Sequence, residues 1–79
     1  MKGKDMAVTE KDFARQVAEV LEVEAVTLAT RFREVEDWNS LKGFSLLVMM
    51  EQDYGVALSV EGFLALSTVG DLYRLVKSV

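Results

Sequence analysis

Residues 39–55, NSLKGFSLLVMMEQDYG, carry the strongest helix signal of the chain. This segment holds no proline, it opens on Asn39 and Ser40, and it stops at Gly55. Asn and Ser are favoured at a helix N-cap because their side chains accept hydrogen bonds from the free N–H groups of the first turn, and Gly is favoured just past the last turn. The segment therefore predicts a helix from about Ser40 to Tyr54, with Asn39 or Ser40 as its cap.

This predicted helix is apolar on two sides. At about 100° per residue, one side holds Gly43, Leu46, Leu47, Met50 and Tyr54, and a second side holds Leu41, Phe44 and Val48. A helix in a thin bundle needs one apolar face for the core. Two interpretations of the second side stay open: other parts of the chain cover it, or it stays partly exposed as a docking stripe for partner proteins. Met49 falls outside both sides, and we expect it to be exposed.

Upstream of this segment lie a helix signal and a long connection. Thr9 is followed three residues later by an acid, which is a capping pattern. Apolar residues then recur at helical spacing and predict a first helix ending near Leu21; they are Phe13, Val17, Val20 and Leu21. Residues 22–38 are too apolar for a solvated linker, and a structureless loop of that length is uncommon in a compact domain. We expect an ordered connection that packs onto the helices.

Downstream of the segment, two further helices are predicted. Ser59 can cap a short helix over about residues 60–66. Thr68 opens a capping signal, and the stripe after it predicts a last helix through Val69, Leu72, Tyr73 and Val76. The fold class is therefore all-α: a small four-helix bundle of three main helices and one short helix, with a long ordered first loop. The bundle is assigned to residues 9–79, and residues 1–8, which lack periodicity, to a flexible N-terminal tail.

Composition excludes several function classes. The chain has 79 residues, no Cys and no His, which removes thiolate nucleophiles, the usual zinc sites and a Ser–His dyad. We therefore expect no independent hydrolase of the common types and no metal site. The net charge of −4, from 13 acidic and 9 basic residues, disfavours a nucleic-acid partner. Apolar runs are too short to span a bilayer and the start does not resemble a signal peptide, so a soluble, cytoplasmic chain is expected.

Several short motifs carry a family resemblance. In chain order they are Thr30-Arg31-Phe32, Asn39-Ser40-Leu41, Gly55-Val56-Ala57-Leu58-Ser59 and Ser67-Thr68-Val69-Gly70-Asp71-Leu72. Their order and spacing resemble those of the acyl carrier protein family, whose attachment motif is Asp-Ser-Leu at the start of the second helix. The resemblance runs from about Thr9 to Val76.

The resemblance implies a carrier, not an enzyme, with no catalytic residue of its own. Its cofactor would be 4′-phosphopantetheine, covalently attached to Ser40. A separate phosphopantetheinyl transferase would move this arm from coenzyme A onto the hydroxyl, with Asn39 and Leu41 completing the motif that the transferase reads. The thiol of the arm would carry an acyl group as a thioester to acyl-loading and acyl-processing enzymes, and the carrier is expected to be a monomer. The residues that would contact partners are Leu41, Phe44, Val48, Glu51 and Asp53.

Departures from the family pattern indicate a specialised member. Asn39 stands where the family has Asp, which keeps the capping ability but loses a charge thought to help the transferase and its metal ion engage. The second helix is less acidic than in housekeeping carriers, and Trp38 resembles carriers of specialised biosynthetic clusters. A specialised fatty-acid, polyketide or related pathway is therefore expected. The alternative is a carrier-like helical interaction module that takes no arm, for which Asn39 is the main support.

Two features near Ser40 each keep two interpretations. Gly43 costs about 1 kcal/mol against Ala in a helix interior. It serves either close packing of the helix against another backbone or the open mouth of an acyl-chain pocket. The acidic residues Glu34, Glu36 and Asp37 form either a solvated loop or a cluster that orients a basic partner or gathers a divalent cation.

Overall fold

The computed structural model describes residues 9–78, and the tail predicted over residues 1–8 lies outside that range. Within it the chain forms four α-helices and no strand. The helices are α1 (Glu10–Leu21), α2 (Ser40–Tyr54), α3 (Val60–Leu64) and α4 (Val69–Lys77), with a short 3-10 helix (Phe32–Glu34) in the loop between α1 and α2. The all-α prediction of three main helices and one short helix is confirmed. None of the helices in the described range is long and apolar enough to cross a bilayer.

α1 begins where its capping signal predicts. The Thr9 Oγ1 accepts a hydrogen bond from the Asp12 amide at 3.1 Å, and Glu22 ends the helix in a left-handed conformation with a φ of 61°. Three residues of the predicted stripe are fully buried: Phe13, Val17 and Leu21. Burial of each such side chain contributes roughly 1.5–3 kcal/mol, and this holds α1 on the bundle.

The core lies between α1, α2 and α4 and continues into the first loop. Its largest fully buried side chains are Phe13, Val17, Leu21, Phe32, Leu46, Met50, Val69 and Leu72. The Phe13 ring joins two helices, with its centroid 5.4 Å from that of Tyr54 in α2 and 5.6 Å from that of Tyr73 in α4. The expectation that Met49 is exposed is wrong: it is 5% exposed and belongs to the core. α2 contacts α1 on one side and Trp38 and Phe63 on another, so its buried arc is wider than a single stripe.

Backbone pairing with the start of α4 orders the first loop. The Val69 amide donates to the Thr30 carbonyl at 2.9 Å, and the Gly70 amide donates to the Leu28 carbonyl at 2.8 Å. A Cβ on Gly70 would lie 3.0 Å from that same Leu28 oxygen, so the close approach favours glycine. The loop and the last helix therefore form one unit, and the prediction of an ordered connection is confirmed.

A capping box starts α4. The Thr68 Oγ1 accepts from the Asp71 amide at 3.2 Å, and the Asp71 Oδ2 accepts from the Thr68 amide at 3.1 Å and the Ser67 amide at 2.9 Å. The Arg74 Nη2 lies 2.5 Å from the other carboxylate oxygen. The Ser67 amide, the Arg74 guanidinium and the Thr68 amide together lower the pKa of Asp71 from 3.8 to about 2. The carboxylate of Asp71 therefore helps to fix the end of the loop onto α4.

α3 is two residues shorter than predicted, since it ends at Leu64. The Leu66 amide donates to the Phe63 carbonyl at 3.0 Å, which is the tighter bond typical of a last turn. The carbonyl groups of Leu64 and Leu66 accept hydrogen bonds from the Arg33 guanidinium. The end of α3 is therefore stabilised by a side chain of the first loop. The sequence of α3 itself does not indicate this contact.

Candidate functional site

Ser40 is the first residue of α2, and it is exposed. Asn39 is the cap of this helix, because its Oδ1 accepts a hydrogen bond from the Lys42 amide at 2.9 Å. The Ser40 hydroxyl has no hydrogen-bond partner within residues 9–78. A capping role would occupy that oxygen, so the assignment of the cap to Asn39 leaves the Ser40 hydroxyl free to react.

The start of α2 is also suited to an anion. The amides of Ser40 and Leu41 lie in the first turn, where N–H groups have no carbonyl partner inside the helix. The helix dipole places partial positive charge at this end, and no acidic side chain lies in the first turn. The residues present therefore fit a phosphoryl group carried on Ser40.

A groove of about 290 Å³ opens beside Ser40, between α2 and α3. Its walls are Trp38, Gly43, Phe44, Leu47, Val60, Phe63 and Leu64, with Arg33 as the charged member. Gly43 is buried, and a Cβ there would lie 3.1 Å from the Trp38 Cζ2. Gly43 therefore serves close packing, but against an indole and not against the expected backbone. It lines the groove as well, and its role at the mouth of an acyl-chain pocket stays a prediction.

Predicted partner residues on α2 differ in exposure. Leu41 is 72% exposed and Phe44 is 62% exposed, so the rest of the described chain leaves this part of the second apolar side uncovered. Val48 is half-buried. α3 adds Val60 and Leu64, which are exposed to a similar degree and line the groove with Phe44. The sequence pattern does not show this contribution, because a five-residue helix has no stripe of its own from which an exposed face can be identified.

The two acidic residues predicted to contact partners, Glu51 and Asp53, are both exposed. Asp53 also contacts α1: its carboxylate accepts a hydrogen bond from the Gln16 side-chain amide, whose oxygen accepts one from the Tyr54 hydroxyl. Burial raises the pKa of Tyr54 above its ordinary value of 10.0, and the charge of Asp53 adds to that shift. Asp53 lies about 120° round the helix from Leu41, so the structure does not bring these two residues together.

The acidic loop before Ser40 holds no metal site in the structure. Glu34, Glu36 and Asp37 are exposed, and Glu34 lies 3.5 Å from the guanidinium of Arg31. No group of three acidic side chains within residues 9–78 is placed to hold a metal ion. The role of these residues in orienting a basic partner stays a prediction.

Arg33 is a residue of the site that the sequence pattern does not single out. Its Nη1 donates to the Phe63 carbonyl at 3.5 Å, and its Nη2 donates to the Leu64 carbonyl at 3.3 Å and to the Leu66 carbonyl. Its guanidinium also lies over two aromatic rings, 5.0 Å from the centroid of Phe32 and 5.7 Å from that of Phe63. No local signal could have shown this role, because all but one of these contacts join residues about 30 positions apart.

Comparison with models of protein families finds a match to the phosphopantetheine attachment site family over residues 11–76. A search of curated proteins finds no match to the chain. A search of solved structures also finds none. The matched range includes Ser40, its cap and every residue that lines the groove.

Proposed function

Because the chain belongs to the phosphopantetheine attachment site family, we propose that it is an acyl carrier protein whose arm is attached to Ser40. The family is defined by 4′-phosphopantetheine that is covalently bound to a serine, and its members are generally non-catalytic carriers that interact with a transferase and with biosynthetic enzymes. The thiol of the arm holds the carried group as a thioester. The arm thus supplies the thiol that this Cys-free chain lacks.

The observation that carries the proposal is the free hydroxyl of Ser40 at the start of α2. The hydroxyl groups of Ser59 and Ser78 are hydrogen-bonded, and Ser67 does not lie at the start of a helix. The Ser59 Oγ accepts from the Gly62 amide at 2.9 Å, and the Ser78 Oγ donates to the Arg74 carbonyl at 2.9 Å. Ser67 is exposed, but it lies in the connection before α4 and not at the first turn of a helix. Ser40 alone among these combines exposure, a free oxygen and the amides of a helix start.

Attachment of the arm at Ser40 requires no catalytic group from this chain. The Ser40 oxygen forms a bond to the phosphorus of the phosphopantetheine moiety, the pyrophosphate bond of coenzyme A breaks, and adenosine 3′,5′-bisphosphate leaves. The hydroxyl proton passes to a base of the transferase. The chain provides an accessible hydroxyl, a helix end that favours the phosphate charge, and a rigid first turn capped by Asn39.

The partners we propose belong to a specialised fatty-acid, polyketide or related pathway. The first turn of α2 holds no acidic residue. The exposed side chains of α2 near Ser40, those of Leu41 and Phe44, are apolar. A partner of this surface gains more from apolar contact than from charge, whereas a strongly basic partner gains less. Trp38 and Asn39 support the same proposal, as departures from the housekeeping pattern.

Intact-mass measurement after incubation with coenzyme A and a broad-specificity phosphopantetheinyl transferase tests the proposal. We expect a gain of one phosphopantetheine on the native chain and on Ser67→Ala, and no gain on Ser40→Ala. Ser67→Ala is the matched control because Ser67 is also an exposed serine. A gain that persists in Ser40→Ala would move the site. No gain with the native chain or with Asn39→Asp would favour the alternative, an interaction module that uses the surface of Leu41 and Phe44 without an arm.

A further inference from the structure

The Arg33 side chain ties the first loop to the end of α3. It starts in the 3-10 helix and reaches three backbone carbonyls, those of Phe63, Leu64 and Leu66. All three bonds run from one side chain of the first loop to carbonyls of residues 60–66. The contact is therefore a specific polar link between this loop and α3.

α3 needs such a link because its own residues provide little stabilisation. It is five residues long and buries only Phe63, and isolated helices of this length are not stable in water. Its last carbonyl groups have no partners inside the helix. The guanidinium bonds the carbonyl of Leu64, the last residue of α3, and that of Leu66 just past its end, and its positive charge is favourable at a helix C-terminus.

The same helix forms one wall of the groove beside Ser40. Val60, Phe63 and Leu64 face α2 across this groove, and Arg33 lies in it with them. We propose that Arg33 is a positioning residue that holds α3 to the first loop and thereby sets the width of the groove. The effect on the arm rests on the proposed function, whereas the effect on α3 does not.

Geometry explains why an arginine suits this position. A planar guanidinium can bond several carbonyls at once and also stack on aromatic rings, which the ammonium of lysine cannot do in the same way. Arg33 does both, since it lies over the rings of Phe32 and Phe63 while it bonds the end of α3. Arg33→Lys keeps the positive charge but loses the planar guanidinium, so it should retain only part of the stabilisation of α3.

The test uses the unmodified full chain, with Arg33→Gln, Arg33→Lys and the control Arg31→Gln. The Arg31 side chain is 67% exposed, and its ion pair is with Glu34 on the same short segment. Two readouts report on the groove: amide hydrogen exchange over residues 60–66, and acrylamide quenching of Trp38, the single tryptophan of the chain.

For Arg33→Gln we expect exchange in α3 to rise at least about tenfold, as loss of a charge-assisted hydrogen bond predicts, together with stronger quenching of Trp38. Exchange in α1 and α4 should stay unchanged, Arg33→Lys should lie between, and Arg31→Gln should match the native chain. In arm transfer, Arg33→Gln should raise the KM for the carrier more than it lowers kcat.

Two results would overturn the proposal: α3 exchange within about twofold of the native rate, or equal acceleration in all four helices, which would make Arg33 a residue of global stability. If Arg33→Gln does not fold, Arg33→Lys decides by the same comparison. Since the exchange readout involves no arm, failure of this inference is separate from failure of the proposed function.

Discussion

The indole of Trp38 occupies the space into which a side chain at Gly43 would project. A Cβ on Gly43 would lie 3.1 Å from the Trp38 Cζ2 and 3.2 Å from its Cη2. The residue before the cap of α2 and a glycine inside α2 are thus one packing unit, and this unit lines the groove beside Ser40. The indole of Trp38 thus gives the reason for a glycine at position 43, a link that the sequence does not show.

We predict from this pair that Gly43→Ala lowers the free energy of unfolding by about 1 kcal/mol, because overpacking against the indole outweighs the gain in helix propensity. In a Trp38→Leu background the same change should raise the free energy of unfolding by up to about 1 kcal/mol, since the propensity gain then acts alone. Urea denaturation of the four chains of this double-mutant cycle measures the difference. Additive effects would show that the two residues are not coupled.

A second prediction concerns the junction of the first loop with α4. Gly70→Ala should lower the free energy of unfolding by about 1–3 kcal/mol, although alanine favours helices. The added Cβ meets a backbone oxygen, that of Leu28, at 3.0 Å, and a backbone yields less readily than an indole. Urea denaturation measures this loss, and Ala14→Gly, which also removes a half-buried methyl group from α1, gives an upper limit for the propensity effect. A stabilised Gly70→Ala chain would contradict the prediction.

A third prediction is a loss of stability in acid that depends on Asp71. Its pKa is lowered from 3.8 to about 2 in the folded chain, so its contribution to stability is fully present above pH 3.8 and is lost as the pH falls through about 2. The stability advantage of the native chain over Asp71→Asn should therefore shrink across that window. Urea titrations at several pH values measure it. Ser67→Ala, an exposed position beside Asp71 that keeps the backbone amide and has no titratable group, is the control and should not reproduce the trend.

The fourth prediction tests the departure at Asn39. If the missing charge limits recognition, Asn39→Asp should speed arm transfer by a broad-specificity transferase by about tenfold or more, as one added charge-assisted contact predicts. Both residues can cap α2, so helicity should be unchanged. Initial rates at several carrier concentrations measure the effect. Asn39→Ala, which loses the cap bond to the Lys42 amide, separates the effect of charge from that of the cap; equal rates for Asn39→Asp and the native chain would contradict the prediction.

Local signals predicted the helices well and long-range contacts poorly. The start of α1 and both bounds of α2 follow from Thr9, Asn39 and Gly55, because caps act within one turn. The end of α3 does not follow, since its last carbonyl, that of Leu64, is bonded by the Arg33 side chain from the first loop. The burial of Met49 was missed for a related reason: a helical wheel gives the direction of a side chain but not how many neighbours surround the helix.

The candidate site divides along the same line. Ser40, its cap and the exposed Leu41 could be located from the sequence pattern and the resemblance, because they depend on the start of one helix. The groove could not be located, since its second wall is α3 and its shape depends on Trp38 and Arg33 from the loop. A single sequence gives the identity of these residues but not their meeting point.

The last prediction concerns the exposed surface beside Ser40. Phe44→Ala should raise the KM that a partner enzyme, the transferase or an acyl-loading enzyme, shows for this chain by about tenfold. The reason is that a large exposed aromatic side chain is a common anchor of protein interfaces. The free energy of unfolding should change by less than about 1 kcal/mol, as for most exposed positions. Phe44 is 62% exposed, whereas Phe63 in the same groove is 5% exposed.

Phe63→Ala is therefore the matched comparison, and it should cost about 3–5 kcal/mol of stability. Circular dichroism and urea denaturation separate the two variants, and steady-state kinetics with the same partner measures the effect on docking. A Phe44→Ala chain that loses helicity would place Phe44 in the core. A folded Phe44→Ala chain with native KM would show that the transferase and the loading enzyme bind elsewhere, and the exposed pair of Val60 and Leu64 on α3 would then be the next surface to alter.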